Sequence, residues 1–308
     1  MFNRRIKRIF SIALAAIFVV TLSACSNQAT DIKDTKGDKP VIYATFFPVA
    51  DLTSRIAGDK FEVKTVISAS EEPHSFELSA NKMKDISTCS LFVYNGASME
   101  SFAGDVESQT GKDKCLNLSQ GLTLLEANGS TNHEAVNPHT WLSIKCACTQ
   151  LDTIYRKLSS IDPENEAYYK DNLDKSLKQF EALDKKFEEK LSTVDEDKRY
   201  FVVSHAAFNY LAKDYGLTQV AVTGISPEDE PSAQQLTKIA DFVKKHNIST
   251  IFFEGTATPK VAKTLANSTN AKTSTLWTME NLSQDEVDMG YITLMEKNLD
   301  SLMESFDE

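Results

Sequence analysis

The sequence predicts an α/β protein of two lobes, each with a parallel-rich β-sheet covered by helices, joined by one long rigid helix. Three observations carry this reading. From residue 41 short apolar runs alternate with longer amphipathic ones, in two sets, the second opening at Arg199. Between the sets, Pro163 to Leu191 contains no glycine and no further proline. His74 and His205 follow apolar runs, at the strand ends where sheets of this kind bind ligands.

Residues 1–24 have the pattern of an export signal. Arg4, Arg5, Lys7 and Arg8 precede an apolar run from Ile9 to about Leu22. The run is short for a bilayer span, which needs roughly 20 apolar residues. Its ending, Leu22-Ser23-Ala24-Cys25, resembles the lipobox of bacterial lipoproteins and implies a lipid on Cys25 as the mature amino terminus. Removing residues 1–24 takes away four basic residues and no acidic one, so the formal charge of −11 becomes −15. Such a surface excludes nucleic acid as a partner, because nothing offsets phosphate repulsion. Residues 25–39, polar apart from Ile32, read as a flexible tether.

Residues 40–162 form the expected amino-terminal lobe. VIYATF (41–46), FEVKTVI (61–67), SLFVYNG (90–96) and CLNLS (115–119) read as strands, with helices over 48–58 and near 79–86. Strands interleaved with helices indicate a parallel sheet covered on both faces. Residues 163–192 form the connector. Tyr169, Leu173, Leu177, Phe180, Leu183, Phe187 and Leu191 step by three or four, a helical stripe opened by Pro163. Residues 193–308 repeat the first architecture, with strands at 199–205, 217–224, 249–255 and 271–277 and helices at 206–216, 231–247 and 258–269. A closing helix over Tyr291–Met303 packs back across the structure.

Cys89, Cys115, Cys146 and Cys148 are even in number in an exported chain, which permits disulfides without fixing their pairing. Neighbouring strands offer Cys89 to Cys115. Cys146 and Cys148 are too close for an unstrained mutual bridge and stand as thiols, separate links or metal ligands.

The chain has five histidines. His246, in KKHN near a helix end, reads as a surface residue. His133, in a polar loop, reads as solvent-exposed or as auxiliary to a metal entrance. His74 and His139 each follow a proline and precede an aromatic residue, Phe76 and Trp141. His205 lies between a strand and a helix. Each alone fits a hydrogen-bonded loop histidine; together they point to one metal site in the interlobe cleft. Glu280 follows the last strand and is the expected fourth ligand. Glu254, at a comparable strand end, is either a ligand or an orienter of an imidazole. Glu71 and Glu72 beside His74 read as solvated or as local charge stabilisers. Three imidazoles and one carboxylate favour Zn2+; Mn2+ generally takes more oxygen.

Across residues 40–305 the chain resembles the metal-binding solute-binding lipoproteins of zinc and manganese ABC importers (metal-binding cluster A-I type), specifically the zinc branch. The resemblance rests on ATFFPVADLTSRIAGDKFEV, EEPHSFELSANKM, NPHTWLS, SHAAFNYLAKDYGL, PSAQQLTKIADFVKKHNISTIFFEG, TPKVAKTLA and GYITLMEKNLDSL. It implies His74, His139 and His205 as ligands, with Glu280 at the family's variable last position. It further implies a monomer, lipid-anchored on the outer face of the cytoplasmic membrane, that captures Zn2+ and delivers it to a permease with a cytoplasmic ATPase. Two departures stand out. The loop before His139 is short and keeps only His133, and WLSIKCACTQ carries two cysteines where relatives commonly read like WLSPKNA. Rival readings are a manganese importer, an adhesin or receptor, and a zinc hydrolase. Against the last, no HExxH motif occurs.

Overall fold

The computed structural model describes residues 39–127, 136–254 and 260–307. Residues 1–38, which hold the expected export signal, Cys25 and nearly all of the expected tether, lie outside the described residues, as does His133. Among the described residues no helix is long and apolar enough to cross a membrane.

The first sheet contains β1 (Val41–Ala44), β2 (Glu62–Thr65), β3 (Leu91–Tyr94) and β4 (Cys115–Asn117), in the order β2-β1-β3-β4. All neighbours are parallel, with Ile42 opposite Leu91 and Phe92 opposite Cys115. All four residues of β3 are buried, as expected for a central strand covered on both faces. The covering helices are α1 (Phe47–Ala57), α2 (Ala80–Ser87), α3 (Ala103–Thr110) and α4 (Ile144–Ile161). Pro48 opens α1, and the Ser79 hydroxyl caps α2 by accepting the Lys82 N–H.

The sequence pattern had not indicated α3 or α4. The longer, α4, buries Ile144, Ala147, Leu151, Ile154 and Leu158, a helical stripe that the polar and cysteine residues between them obscure. Ser143 caps it at Cys146. The thiols of Cys89, Cys115, Cys146 and Cys148 are all free, so the pairing offered to Cys89 and Cys115 is not made. Burial pushes every one of these thiols above its ordinary pKa, Cys148 to about 11, which disfavours the thiolate a metal needs.

The connecting helix α5 (Glu166–Leu191) follows a 3-10 turn at Pro163–Asn165. Its 26 residues make a rod about 39 Å long. Tyr169, Leu173, Phe180, Leu183, Phe187 and Leu191 are buried, while Leu177 is half-buried. Burying each such side chain contributes on the order of 1.5–3 kcal/mol. The rod touches both lobes. Asn172 donates to the Ile56 carbonyl at 3.0 Å, and Asp184 accepts from the Tyr215 hydroxyl at 2.6 Å.

The second sheet contains β5 (Tyr200–Val203), β6 (Thr218–Ala221), β7 (Thr250–Phe253) and β8 (Lys272–Thr275), in the order β6-β5-β7-β8 and again all parallel. The two lobes therefore repeat one strand order. Here the helices are α6 (Asn209–Tyr215), α7 (Ala233–Lys245), α8 (Lys260–Thr269) and α9 (Gln284–Asp307). The closing helix α9 is kinked at Gly290, whose φ of 76° is left-handed. Beyond the kink, Tyr291 stacks on Phe180 at 5.1 Å and its N–H reaches Asp51 of the first lobe at 3.4 Å.

The end of α1 fixes its distance from the rod. Gly58 has φ +55°, and a Cβ there would lie 2.2 Å from the Tyr168 hydroxyl, which accepts the Asp59 N–H at 3.1 Å. Gly58→Ala is expected to lower unfolding free energy by about 1 kcal/mol or more. Urea denaturation checks this, and an unchanged midpoint would refute it.

Candidate metal centre

His74 sits in a 3-10 turn, Pro73–Ser75, closed by Glu72, whose carboxylate accepts the His74 N–H at 3.1 Å. The following Phe76 packs edge-on against Phe102, ring centres 5.7 Å apart. His139 starts the turn Thr140–Leu142. Trp141 anchors that turn: its ring lies 4.9 Å from Phe46, and its indole N–H donates to the Thr278 carbonyl at 2.7 Å. His205 follows β5 after Ser204, held by the Ala206 N–H bond to the Gly224 carbonyl at 2.7 Å. Glu280 follows β8 after Met279, a buried residue with left-handed backbone at φ 66°. The loop is tied to the first lobe where Leu282 N–H meets the Ala69 carbonyl at 2.6 Å.

Segments distant in sequence thus bring four side chains together. His74, His139, His205 and Glu280 each offer one atom, all within 4.8 Å of one another. The His139 Nε2 lies 3.3 Å from that of His74 and 3.1 Å from that of His205. Glu280 Oε1 is 3.0 Å from the Nε2 atoms of both His74 and His139, and its Oε2 is 3.3 Å from that of His205. A tetrahedral zinc with bonds of about 2.0–2.1 Å places its ligand atoms about 3.3 Å apart. Five contacts of 3.0–3.3 Å, three of them made by the two carboxylate oxygens, lie close to that figure. Glu280 Oε2 is buried and faces the His205 Nε2 without a hydrogen bond of good geometry.

The far sides of two rings fix which nitrogen faces the centre. His139 Nδ1 is 2.8 Å from Asn137 Oδ1, so Nδ1–H donates and Nε2 keeps its lone pair. Asn137 in turn donates to the Ala206 carbonyl and to Asn209 Oδ1, both at 3.0 Å, joining the two histidine loops. His205 Nδ1 lies 2.5 Å from Glu254 Oε1, which also accepts the Ser204 hydroxyl. Glu254 therefore faces the back of the imidazole, the orienting alternative.

Electrostatics separates the histidines. Burial pushes His139 down to about 4, against the pull of Glu280, so its ring is neutral at pH 7. Burial also works against the charged form of His205, but the Glu254 and Glu280 carboxylates win and hold it well above the ordinary imidazole value. Glu280 is opposed by burial, yet the facing histidines keep it well below the usual carboxylate range. Glu72 moves the other way, raised by burial and by the Glu280 charge.

The remaining candidates lie elsewhere. Glu71 caps its own turn through Ser68. His246 rests against Tyr200 and Phe242, ring centres 4.5 and 4.3 Å away, at the end of α7. Neither Cys146 nor Cys148 joins a metal-competent cluster among the described residues. Asn137 and the Trp141–Thr278 link were missed by sequence reasoning; the Asn-Pro-His order was the one available signal for the first.

The family described as zinc-uptake complex component A, periplasmic, matches residues 42–305. The high-affinity zinc uptake system protein ZnuA of Bacillus subtilis strain 168 is 37% identical, over 95% of each chain. The zinc-binding lipoprotein AdcA of Streptococcus pneumoniae serotype 4 is 36% identical over 97% of this chain, which spans 61% of that longer relative. The crystal structure of the Zn(II)-bound ZnuA-like domain of Streptococcus pneumoniae AdcA superposes with a TM-score of 0.76 at 35% identity, covering 88% of this chain and 100% of that one. The laminin-binding protein Lmb of Streptococcus agalactiae, described as bifunctional with adhesin and metal transporting activity, gives 0.77 at 33% identity, over 87% and 99% of the two chains. A match over nearly all of both lobes places this chain in the family of zinc-uptake complex component A.

Proposed function

We propose that this protein captures Zn2+ outside the cytoplasm and delivers it to an ABC permease. His74, His139, His205 and Glu280 are the ligands in this reading. The observation that carries it is the convergence of three imidazoles and a buried carboxylate, with one ligand atom from each lying within 4.8 Å of the others. A fourth protein ligand fills the position that a hydrolytic zinc leaves to water, so capture fits this centre better than catalysis. Cys25 carries the lipid anchor, the mature protein acts as a monomer, and a separate ATPase supplies the energy of import. Residues 40–162 and 193–308 are the two lobes and 163–192 the connector.

Neutral Nε2 donors and one carboxylate favour zinc over manganese. Competition calorimetry on demetallated protein is expected to show one tight Zn2+ per chain and weaker Mn2+ binding. Tighter manganese binding would overturn the zinc assignment. Glu280→Gln removes the charge but leaves an amide oxygen, so zinc affinity is expected to fall on the order of tenfold. An unchanged affinity would remove Glu280 from the ligand set. Adhesion is a second reading, favoured by the likeness to Lmb. Replacing the three histidines separates the two, since import requires them and adhesion does not.

A further inference from the structure

In the second sheet the strand order reverses between β5 and β7, and His205 and Glu254 sit at the carboxyl ends of those two strands. The equivalent point of the first sheet lies between β1 and β3. It is occupied by Thr45 and Asn95, both fully buried.

The chain leaves β3 through an unusual turn. Gly96, Ala97 and Ser98 are all left-handed, with φ of 78°, 51° and 65°. Such backbone is costly for alanine and serine and persists only where surrounding contacts enforce it. The turn folds Glu100 back onto its own start. Glu100 Oε1 accepts the Asn95 N–H at 2.8 Å and the Thr45 hydroxyl at 2.7 Å, and its Oε2 accepts the Gly96 N–H at 2.9 Å. Two successive backbone N–H groups grip the carboxylate as an anion nest. The Glu100 side chain is thereby spent on holding Asn95, not on solvent or a cation.

Asn95 in turn brackets His139. Its Nδ2 donates to the Pro138 carbonyl at 2.8 Å, and its Oδ1 accepts from the Thr140 hydroxyl at 2.9 Å. Gln150 on α4 supports the same hydroxyl at 3.1 Å. Two residues past the turn, Phe102 is the partner on which Phe76 of the His74 loop packs. The strained turn thus contacts the His139 loop, and Phe102 just beyond it contacts the His74 loop.

We infer that the segment Asn95–Phe102 is a positioning element that fixes the spacing of His74 and His139, and so the preference of the centre for a small tetrahedral ion. Asn95 and Glu100 touch no ligand atom; they act through the His139 loop and hold the segment whose Phe102 meets the His74 loop. An ion with longer bonds and more ligands requires the histidines to spread, which the clamped turn resists. This inference rests on the zinc reading above.

The test uses demetallated full chain loaded with cobalt(II), whose visible absorption reports coordination geometry, together with zinc and manganese competition titrations. Asn95→Ala is expected to weaken zinc binding about tenfold, the usual scale for residues that orient ligands. Manganese affinity should fall less, and the tetrahedral cobalt bands should lose intensity. Glu100→Gln, which turns an amide N–H toward the Gly96 N–H, should act in the same direction. A variant with a lowered melting temperature but the parental cobalt spectrum and zinc-to-manganese ratio would overturn the inference, because general loosening moves the first and not the others. If Asn95→Ala fails to fold, Thr140→Val removes one bond of the bracket and is judged by the same spectrum and ratio. Absence of tetrahedral cobalt bands in the parent protein would instead overturn the zinc reading, and the inference with it.

Discussion

His139→Ala is expected to lower zinc affinity on the order of a hundredfold or more. Structural zinc sites bind with roughly 12 kcal/mol shared among four ligands, so one ligand carries about 3 kcal/mol. His139 is the extreme case because it is fully buried and central, with the other two imidazole nitrogens and Glu280 Oε1 all within 3.3 Å. The His74 side chain keeps 10% of its surface exposed, so a water molecule replaces its nitrogen more readily and His74→Ala should cost less. The His139 ring is already neutral in the metal-free state, so no favourable charge is lost with it. Competition against a chromophoric chelator gives both affinities. Retention of zinc binding within about threefold in folded His139→Ala would exclude it from the ligand set.

That ranking of the histidines needs the structure, although their convergence was legible beforehand. The strands were readable because each is a short apolar run bounded by turns, and parallel β-sheets place the following loops on one side. The connector was readable because Tyr169 to Leu191 keep helical period without a breaker. Helix α4 has the same period in Ile144, Ala147, Leu151, Ile154 and Leu158, but Cys146 and Cys148 drew the reading toward disulfides and metals. Glu254 was legible as a strand-end carboxylate, whereas its orienting role depends on facing Nδ1 instead of Nε2. Asn95, Glu100 and the Trp141–Thr278 bond were not legible at all. Their partners lie as far as 137 residues away, and no local period encodes a hydrogen bond between such segments. The strained Gly96–Ser98 backbone is similarly hidden, since alanine and serine carry no left-handed preference.

Zinc affinity should rise about tenfold per pH unit between roughly pH 5.5 and 7.5, and His205 sets that slope. The sign follows from which species holds the proton. The metal-free protein keeps His205 protonated well above the ordinary imidazole value, because Glu254 and Glu280 outweigh the burial that disfavours its charge. Zinc requires the bare Nε2 lone pair, so binding expels that proton and acid opposes binding. Over the same window His139, held down to about 4, has no proton to lose. Glu280, held well below its ordinary value by the facing histidines, is ionised throughout. His205 therefore accounts for about a hundredfold loss of affinity over those two pH units. The device suits a binding protein: Glu254 orients the ring and also holds the proton that zinc must displace. Glu254→Gln should lower the His205 pKa and move the steep part of the curve to lower pH, while leaving the Nδ1 contact to an amide oxygen. Calorimetry of zinc binding in buffers of different ionisation enthalpy reads the displaced proton directly. A flat affinity across this window, with no proton released, would mean that His205 is neutral before the metal arrives and that the two carboxylates do not govern it.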